Sequence, residues 1–346
     1  MTPAVNRLNS SRRPMLDPPG SEVALLMLLP ALLACVTQPE YFDAPVDDSG
    51  EPVWVDADGD GFAPAGVQVL AELVDCDDSD PTVTPSTERY VPEGWFSRGS
   101  PGATREIFIS GMCAQVHEVT VAEFVVFMQD MLERGYDNVD ASGEPLFDID
   151  DDDDDFEETV VRAEAGFEAL PGYELHPATE IWYHSAEAYC AWRGMRLPTE
   201  AEWEKAARGV EDARSYPWSG GELDCDHANV NLRDEGTEAE FCNDGTTEVL
   251  QHPLGVGPFG LQDSIGNVSE WVSDWWYPDY DPDETDVDPQ GATEPYWDEQ
   301  MGFYVRMTRG GSHASGSMFD TVWARYPEPE WATSNGVGVR CFRSLD

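Results

Sequence analysis

The cysteines constrain the fold of this 346-residue chain more than any other feature. Cys35 directly follows an apolar run, Val23–Ala34, and six further cysteines are spread along the rest of the sequence. The run is preceded by arginines and is too short to span a bilayer, which is typical of a signal peptide. In an exported chain, an even number of cysteines predicts disulfides rather than metal thiolates. The pairing stays open at this point, because spacing alone does not choose among the alternatives.

The residues around Cys35 indicate how the exported chain is held. The sequence LLAC is similar to a bacterial lipobox, in which the cysteine becomes the lipidated first residue of the mature protein. The alternative is an ordinary signal peptide followed by an incidental cysteine. We predict a signal peptide over 1–34, lipidation of Cys35 and a polar tether over 35–50. The predicted location is the bacterial cell envelope, periplasmic or at the cell surface.

The net charge narrows the range of partners. The chain has 69 acidic and 19 basic residues, which gives a formal charge of -50 at pH 7. A surface of this charge repels nucleic acid and anionic lipid headgroups and attracts divalent cations. We therefore expect a monomer with no nucleic-acid partner and no membrane contact beyond the lipid anchor. The alternative is an acidic coat that only keeps the protein soluble.

An aspartate-rich segment over 51–88 contains the motif DADGDG and then DCDDSD. Carboxylates at alternate positions before a glycine converge on one hard cation, as in calcium loops. A strict EF-hand is excluded, because Val67 stands where that loop needs a bidentate glutamate. The paired pattern resembles the calcium-binding aspartate repeats of thrombospondin type, and the alternative is a solvated acidic linker. The predicted ligands are Asp56, Asp58, Asp60, Asp75, Asp77 and Asp80, with Asp78 beside them.

The chain from about Trp95 has the composition of a globular domain. Capping-box sequences at Thr120 and Thr199 predict helices that end near Gly135 and Gly209. A further helix is predicted from Ser185, and helical periodicity then ends. The aspartate run within about 137–170 predicts an exposed acidic insertion loop.

Four stretches of this domain resemble one known family. They are AEAYCAWRGMRLPTEAEWEKAARG (186–209), GPFGLQDSIGNVSEWVSDWW (257–276), RGGS (309–312) and GVRCFR (338–343). Together they resemble the formylglycine-generating enzyme family of sulfatase-modifying factors, across residues 95–345. The resemblance implies an α+β fold, a loop-rich variant of the C-type lectin fold that is stabilised by disulfides and calcium.

The resemblance also implies one disulfide, Cys190–Cys341. Spacing favours a local pair, Cys225–Cys242, and the two remaining cysteines then link the aspartate-rich segment to the domain. That last predicted pair is Cys76–Cys113.

Two calcium sites follow from the resemblance, and both use the oxygen ligands that this cation prefers. The alternative is that these groups merely cap turns. The first site would use Asp263, Glu270 and the carbonyl groups of Gly266 and Val268. The second site would use Asn229, Asp244 and the carbonyl groups of Val230 and Thr246.

The catalytic positions of the family are altered in this chain. Formylglycine formation uses copper held by two cysteines, which stand three and eight positions after the RGGS motif that ends at Ser312. Here those positions are Ser315 and Asp320, and a family tryptophan is replaced by Ser269. A hydroxyl and a carboxylate are poor ligands for Cu(I), which selects thiolates. Copper is therefore not expected, and calcium is the expected cofactor.

We therefore predict a calcium-dependent binding or scaffold module for a peptide or glycan, without copper oxidase activity. The alternative is an active oxidoreductase of the sulfatase-modifying factor type that acts on a cysteine or sulfur substrate through another metal site. The six histidines do not form a paired metal-ligand motif, which argues against an iron-dependent relative. A hydrolytic site of His313, Ser315 and Asp320 is a further alternative, although proximity in sequence is weak evidence for a triad, which is set by geometry across a fold.

Overall fold

The computed structural model describes most of the chain after the predicted tether. The described residues are 57–60, 62–64, 74–148, 158–210, 214–232, 241–280, 284–292, 294–299, 302–316 and 318–345. The predicted signal peptide, Cys35, the tether and Asp56 lie outside these residues. Among the described helices, none has the length and apolar character needed to cross a membrane.

The fold is rich in short strands and has few helices. The helices are α1 (Val121–Glu133), α2 (Tyr183–Trp192) and α3 (Glu200–Arg208), with a 3₁₀ turn at Pro253–Gly255. The strands are β1 (Ala63–Pro64), β2 (Val74–Asp75), β3 (Glu88–Val91), β4 (Gly94–Ser100), β5 (Ala103–Ile109), β6 (Met112–Gln115), β7 (Val160–Ala163), β8 (Gly166–Ala169), β9 (Ser269–Trp275), β10 (Trp297–Asp298), β11 (Phe303–Arg309), β12 (Tyr326–Pro329), β13 (Val337–Gly338) and β14 (Phe342–Ser344).

Local sequence accounts for the ends of the helices. Thr120 and Thr199 form complete capping boxes at the starts of α1 and α3, with the glutamate three residues later returning a hydrogen bond to each cap. Gly209 follows α3 with a φ of +82°, a conformation that other residues adopt at a cost. Helix α2 begins at Tyr183, two residues before the predicted start at Ser185.

A five-stranded sheet separates two hydrophobic cores. Strand β11 is central and pairs with β9, β10 and β12, while β13 pairs with β9. Neighbouring residues of β9 point to opposite faces, so Trp271 packs with α1 and α2, and Val272 packs with α3. The sheet therefore holds the end of β11, where the RGGS motif begins, between two packed layers.

A second sheet joins the start and the end of the domain. Strand β6 pairs with β3 on one side and with β14 on the other. Because β3 begins at Glu88, the packed domain starts before the predicted boundary at Trp95. The predicted insertion loop is also not uniformly exposed, since Phe147, Val160 and Phe167 are buried against α1.

All three disulfides that the sequence predicted are present. The two bonds that involve Cys113 and Cys341 lie in buried surroundings, and the third, Cys225–Cys242, lies closer to the surface. The sulfur–sulfur distances are 2.02 Å for Cys76–Cys113, 1.96 Å for Cys190–Cys341 and 2.03 Å for Cys225–Cys242.

Candidate functional site

A cleft of about 500 Å³ opens beside the loop that follows β11. Its walls are the loop 310–316, strand β12 and the segment 334–337, and strands β9 and β11 form its floor. The residues on the loop wall are mostly small, including Gly310, Gly311 and Ser315. A cleft of this volume is within the usual range for small ligands and for short segments of larger ones.

Ser315 and Asp320 are brought together at the inner wall of this cleft. The Ser315 hydroxyl donates to Asp320 Oδ1 over 2.7 Å and accepts from the Ser312 N–H over 2.7 Å. Asp320 is fully buried, and a Cβ at Gly311 would collide with its carboxylate, so glycine is required there. The two altered catalytic positions therefore form a side-chain hydrogen bond.

Burial changes the charge state of Asp320. Desolvation raises the pKa of its carboxyl group to about 8, and the hydrogen bond from Ser315 offsets only part of this effect. Asp320 is therefore mostly protonated at neutral pH, and its Oδ2 atom has no hydrogen-bond partner among the described residues.

His313 does not complete a triad with this pair. Its Nδ1 atom lies 3.1 Å from the backbone oxygen of Asn267. Because a carbonyl oxygen can only accept, this hydrogen bond requires that Nδ1 carries the proton. Burial lowers the pKa of the imidazole, which keeps it neutral. The described contacts of His313 include neither Ser315 nor Asp320, so the arrangement of a serine hydrolase is absent from this part of the chain.

Arg309 anchors the end of β11 behind the cleft. Its guanidinium group donates to Glu200 over 2.9 Å and to Glu204 over 2.7 Å, and it also bonds the carbonyl group of Val322. The same two glutamates form ion pairs with further arginines, so the Arg309 guanidinium group is part of a buried ion-pair network. The other arginines in contact with them are Arg98, Arg208 and Arg325.

Glu328 is the acidic side chain that lines the outer part of the cleft. It lies on β12 beside Tyr326, whose ring is 40% exposed. Burial raises the pKa of the Glu328 carboxyl group to about 7.

Ser269 lies on the floor of the cleft, at the position where the resemblance implies a tryptophan. Ser269 and Thr308 both line the floor, and the Thr308 hydroxyl has no hydrogen-bond partner among the described residues. A serine at this position occupies less volume than an indole ring would.

The aspartate-rich segment brings together only some of its predicted ligands. Carboxylate oxygens of Asp58, Asp75 and Asp78 lie within 4.8 Å of one another, and no other three acidic, histidine or cysteine side chains of the described residues come together in this way. Asp77 instead pairs with Arg343 over 3.0 Å. Asp80 accepts from the hydroxyl and the N–H of Thr82.

The geometry around Asp75 favours a cation. Asp75 is fully buried. Its Oδ2 atom and that of Asp60 have no hydrogen-bond partner among the described residues. Burial raises the pKa of Asp75 to about 6, the N–H of Asp77 opposes this, and the charges of Asp60, Asp58 and Asp78 add to it. Clustered oxygen ligands with unsatisfied lone pairs fit calcium.

The first predicted calcium site of the domain is arranged around an ion pair. Glu270 is buried and accepts from Arg340 over 2.8 Å and from the Trp203 ring N–H over 2.6 Å. Asp263 accepts from the N–H of Leu250 over 2.7 Å. The carboxylates of Asp263 and Glu270 therefore have separate partners. The two residues whose carbonyl groups were also predicted as ligands, Gly266 and Val268, lie between them in sequence.

Buried negative charge nevertheless exceeds positive charge there. Glu118 is also buried beside this pair and bonds Val268 N–H and the Asn267 side chain. Desolvation raises its pKa well above the usual range, and the charges of Asp263 and Glu270 raise it further. The site remains a prediction.

The second predicted calcium site lies along a neighbouring loop. The side chain of Asn229 is 1% exposed and donates to the carbonyl group of Gly245. The carbonyl group of Val230 accepts from Cys242 N–H, and the Thr246 hydroxyl contacts His176. Asp244 lines a second cleft with His313, so these four groups share one region, and their role as ligands stays a prediction.

Residues 78–345 match the family described as the sulfatase-modifying factor enzyme 1-like domain. The chain belongs to this family. The match extends over β3, β6 and β14, which agrees with the sheet that joins the two ends of the domain.

Curated relatives of the family resemble the chain over part of their length. The formylglycine-generating enzyme of Streptomyces coelicolor is 33% identical over 199 residues, which are 54% of this chain and 58% of that enzyme. The serine/threonine-protein kinase Pkn1 of Chlamydia trachomatis serovar L2 is 32% identical over 262 residues, 74% of this chain and 38% of the kinase. The chain thus spans less than two thirds of either relative.

A solved structure with a similar fold is that of PvdO from Pseudomonas aeruginosa. Its TM-score is 0.52 at 21% identity, and the match covers 75% of this chain and 94% of PvdO. At this identity the likeness concerns the fold of the family.

The residues that the motifs did not reveal are Glu328, Thr308 and the arginine network. Glu328 stands in the stretch YPEPEW, where no spacing marks it as part of a site. The RGGS motif did mark Arg309, and a helix that carries Glu200 and Glu204 four residues apart was the available signal for its partners.

Proposed function

We propose that the protein is a binding module whose cleft takes a peptide or a glycan, and that it is not a copper oxidase. The observation that carries this proposal is the hydrogen bond between Ser315 and Asp320 at the two positions where the family enzymes hold copper. Their cleft is retained, while the thiols are replaced by a hydroxyl and a mostly protonated carboxyl group.

Copper chemistry does not fit these residues. Soft Cu(I) selects thiolates, and all six cysteines of the described domain are in disulfides. The Ser315 hydroxyl is already used as donor and acceptor. The loop that lines the cleft is nevertheless held in place, because Arg309 is bonded to Glu200 and Gly311 packs closely against Asp320.

The cleft supports ligand binding in several ways. Its volume is about 500 Å³, and its lining combines hydroxyl groups, backbone and an exposed aromatic ring at Tyr326. This mixture suits extended ligands that carry both apolar and hydrogen-bonding groups. The proposed relationship to the C-type lectin fold supports the same role by analogy of fold alone.

Peptide and glycan arrays at millimolar calcium test this proposal. We expect reproducible binding that the Ser269→Trp variant loses, because an indole ring would fill the floor of the cleft. The thermal unfolding of this variant is measured alongside, and the Ser79→Ala variant, altered outside the cleft, is the matched control. Absence of any bound peptide or glycan would contradict the proposal.

A second experiment tests the proposal that the protein is not a copper oxidase. The wild-type protein is expected to bind no stoichiometric Cu(I), whereas the double variant Ser315→Cys, Asp320→Cys is expected to bind it through two thiolates. Turnover of a cysteine peptide by the wild-type protein with copper or iron would overturn the proposal in favour of an oxidoreductase.

Calcium is proposed as the structural cofactor. The cluster of Asp58, Asp75 and Asp78 supports this best, since a cation would remove the repulsion among these neighbouring carboxylates. The sites predicted at Asp263 and Asn229 are proposed as further positions. Calcium titration calorimetry should detect binding that Asp75→Asn weakens at least tenfold, while Asp80→Asn, outside the cluster, has little effect. Equal loss in both variants would contradict the cluster.

Export and lipid anchoring complete the proposal. The three disulfides support an oxidising location. Mass spectrometry of the protein produced in a bacterial host should find an acylated N-terminal cysteine at Cys35, and Cys35→Ser should release the protein from membranes. A mature chain without the acyl group would contradict the anchor.

A further inference from the structure

We propose that the cleft receives a cationic side chain, lysine or arginine, of a peptide ligand against the carboxylate of Glu328. This inference rests on the proposed function, because it names the chemistry of the ligand for the same cleft. It goes further by selecting a positively charged peptide over glycans and over neutral or acidic peptides.

The first step is that Glu328 has no internal partner. The side chain is half-buried in the wall of the cleft and makes no hydrogen bond or ion pair with any described residue. A desolvated carboxylate is costly unless a cation or a donor reaches it. An incoming ammonium or guanidinium group would supply both the charge and the hydrogen bonds.

The second step is that the nearby arginines are occupied. Arg306 lies opposite Glu328 in the register of β11 and β12, but its guanidinium group is stacked 4.0 Å from the Tyr183 ring and 3.6 Å from the Trp275 ring. Its Nε atom is also 3.4 Å from Glu330.

Arg309 is the cation that lines the cleft, and it is 1% exposed. It is committed to Glu200 and Glu204. The cleft therefore offers no free guanidinium group to an anionic ligand among its described lining residues.

The third step is the aromatic edge of the cleft. Tyr326 is two residues from Glu328 on the same face of β12, and its ring meets Phe319 edge-on at 5.1 Å between centroids. Both rings line the cleft. An aromatic face beside a carboxylate is a favourable place for a cation, with a contribution of about 0.5–2 kcal/mol in proteins.

The floor of the cleft and the electrostatic field of the whole protein both favour a cationic ligand. The space above Ser269 can take the aliphatic stem of a lysine or an arginine, and the unpartnered Thr308 hydroxyl lies on the same floor. The formal charge of -50 raises the local concentration of cationic ligands and speeds their association at low salt.

The test uses blocked hexapeptides whose central residue is lysine, arginine, Nε-acetyl-lysine or glutamate, titrated by calorimetry into the mature protein at millimolar calcium. We expect the lysine or the arginine peptide to bind at least tenfold more tightly than the other two. Glu328→Gln should remove at least tenfold of that affinity. The matched control, Glu330→Gln, changes an exposed carboxylate outside the cleft and should leave the affinity nearly unchanged.

The pH dependence gives a readout that a structural role of Glu328 would not produce. Because burial raises the pKa of Glu328 to about 7, the carboxylate forms as the pH rises from 6 to 8. The other charged or titratable groups around it are Arg306 and Arg309 on β11 and Tyr326 on β12 itself. Affinity for the lysine peptide should therefore increase with pH in the wild-type protein and stay flat in Glu328→Gln.

The outcomes separate the two proposals. Equal binding of neutral and cationic peptides, or full affinity in Glu328→Gln, would overturn this inference and leave the binding function intact. Binding of glycans alone would overturn it as well. Failure of every peptide and glycan to bind would contradict the proposed function and, with it, this inference.

Discussion

Acidic side chains are held in two different ways in this protein. Behind the cleft, Glu200 is surrounded by Arg98, Arg309 and Arg325 at 2.8, 2.9 and 2.6 Å. In the aspartate-rich segment, Asp75 lies near other carboxylates, and its nearest described donor is a backbone N–H at 2.9 Å. Both side chains are buried, so the difference lies in the charges around them.

The pKa values of the two groups follow from this difference. Burial alone would raise the pKa of Glu200, but the three arginines lower it below its usual range. The pKa of Asp75 is raised to about 6 by burial and by its acidic neighbours, against the N–H of Asp77. The carboxylates behind the cleft therefore have cationic partners within the chain, whereas the cation that we propose for the aspartate-rich segment would come from solution.

The largest effect is expected from breaking the complete network. Arg309→Met leaves two buried glutamates with fewer partners and should lower the free energy of unfolding by about 3–5 kcal/mol in urea denaturation. The matched control is Arg134→Met, which removes an exposed pair with Asp130 and should cost roughly 0.5 kcal/mol or less. Similar losses in the two variants would mean that the network is not a stabilising unit.

The second prediction concerns Asp320, a buried acid that forms no ion pair with the described residues. Its folded-state pKa of about 8 lies above the unfolded value, so its contribution to stability is present at low pH and is lost as the pH rises toward 8. Relative to Asp320→Asn, the wild-type free energy of unfolding should fall by on the order of 1 kcal/mol per pH unit between about pH 5 and 8. Parallel pH profiles of the two proteins would contradict burial as the cause.

The third prediction concerns calcium binding by the aspartate-rich segment. Removing calcium with a chelator should lower the melting temperature, and calcium at one hundred times its Kd should restore about 2.7 kcal/mol. Asp75→Asn should remove most of this response and should stabilise the calcium-free protein by relieving repulsion. An identical melt with and without chelator would contradict the calcium assignment.

The smallest effect is expected from two serine–aspartate pairs, one near each region. Ser315→Ala removes a hydrogen bond to a buried carboxyl group and should cost about 1 kcal/mol. Ser79→Ala removes an exposed hydrogen bond to Asp77 and should cost close to nothing, because water replaces the donor. Chemical denaturation of both variants measures the contrast, and a larger cost at Ser79 would reverse it.

Much of the frame of the domain was predictable because its signals are local. The capping threonines placed the starts of α1 and α3, and long motifs identified the family. The early start of α2 was not predicted, because Trp182 caps the helix without a side-chain hydrogen bond and leaves no sequence signal. The partial burial of the predicted insertion loop was also missed, since its apolar residues are spread between acidic ones.

The sequence by itself determined the family and the loss of both thiols at Ser315 and Asp320, because motifs and residue types can be read along the chain. It only suggested the cysteine pairs, through the resemblance, spacing and elimination, and the structure contains all three. Tertiary structure alone decided which carboxylates have partners. It paired Asp77 with Arg343 and left Asp75 among other carboxylates, and it placed three arginines around Glu200. It gave Glu328 no ion pair with the described residues. The physical reason is that the energy of a buried charge depends on its neighbours in space, and those neighbours come from distant parts of the sequence.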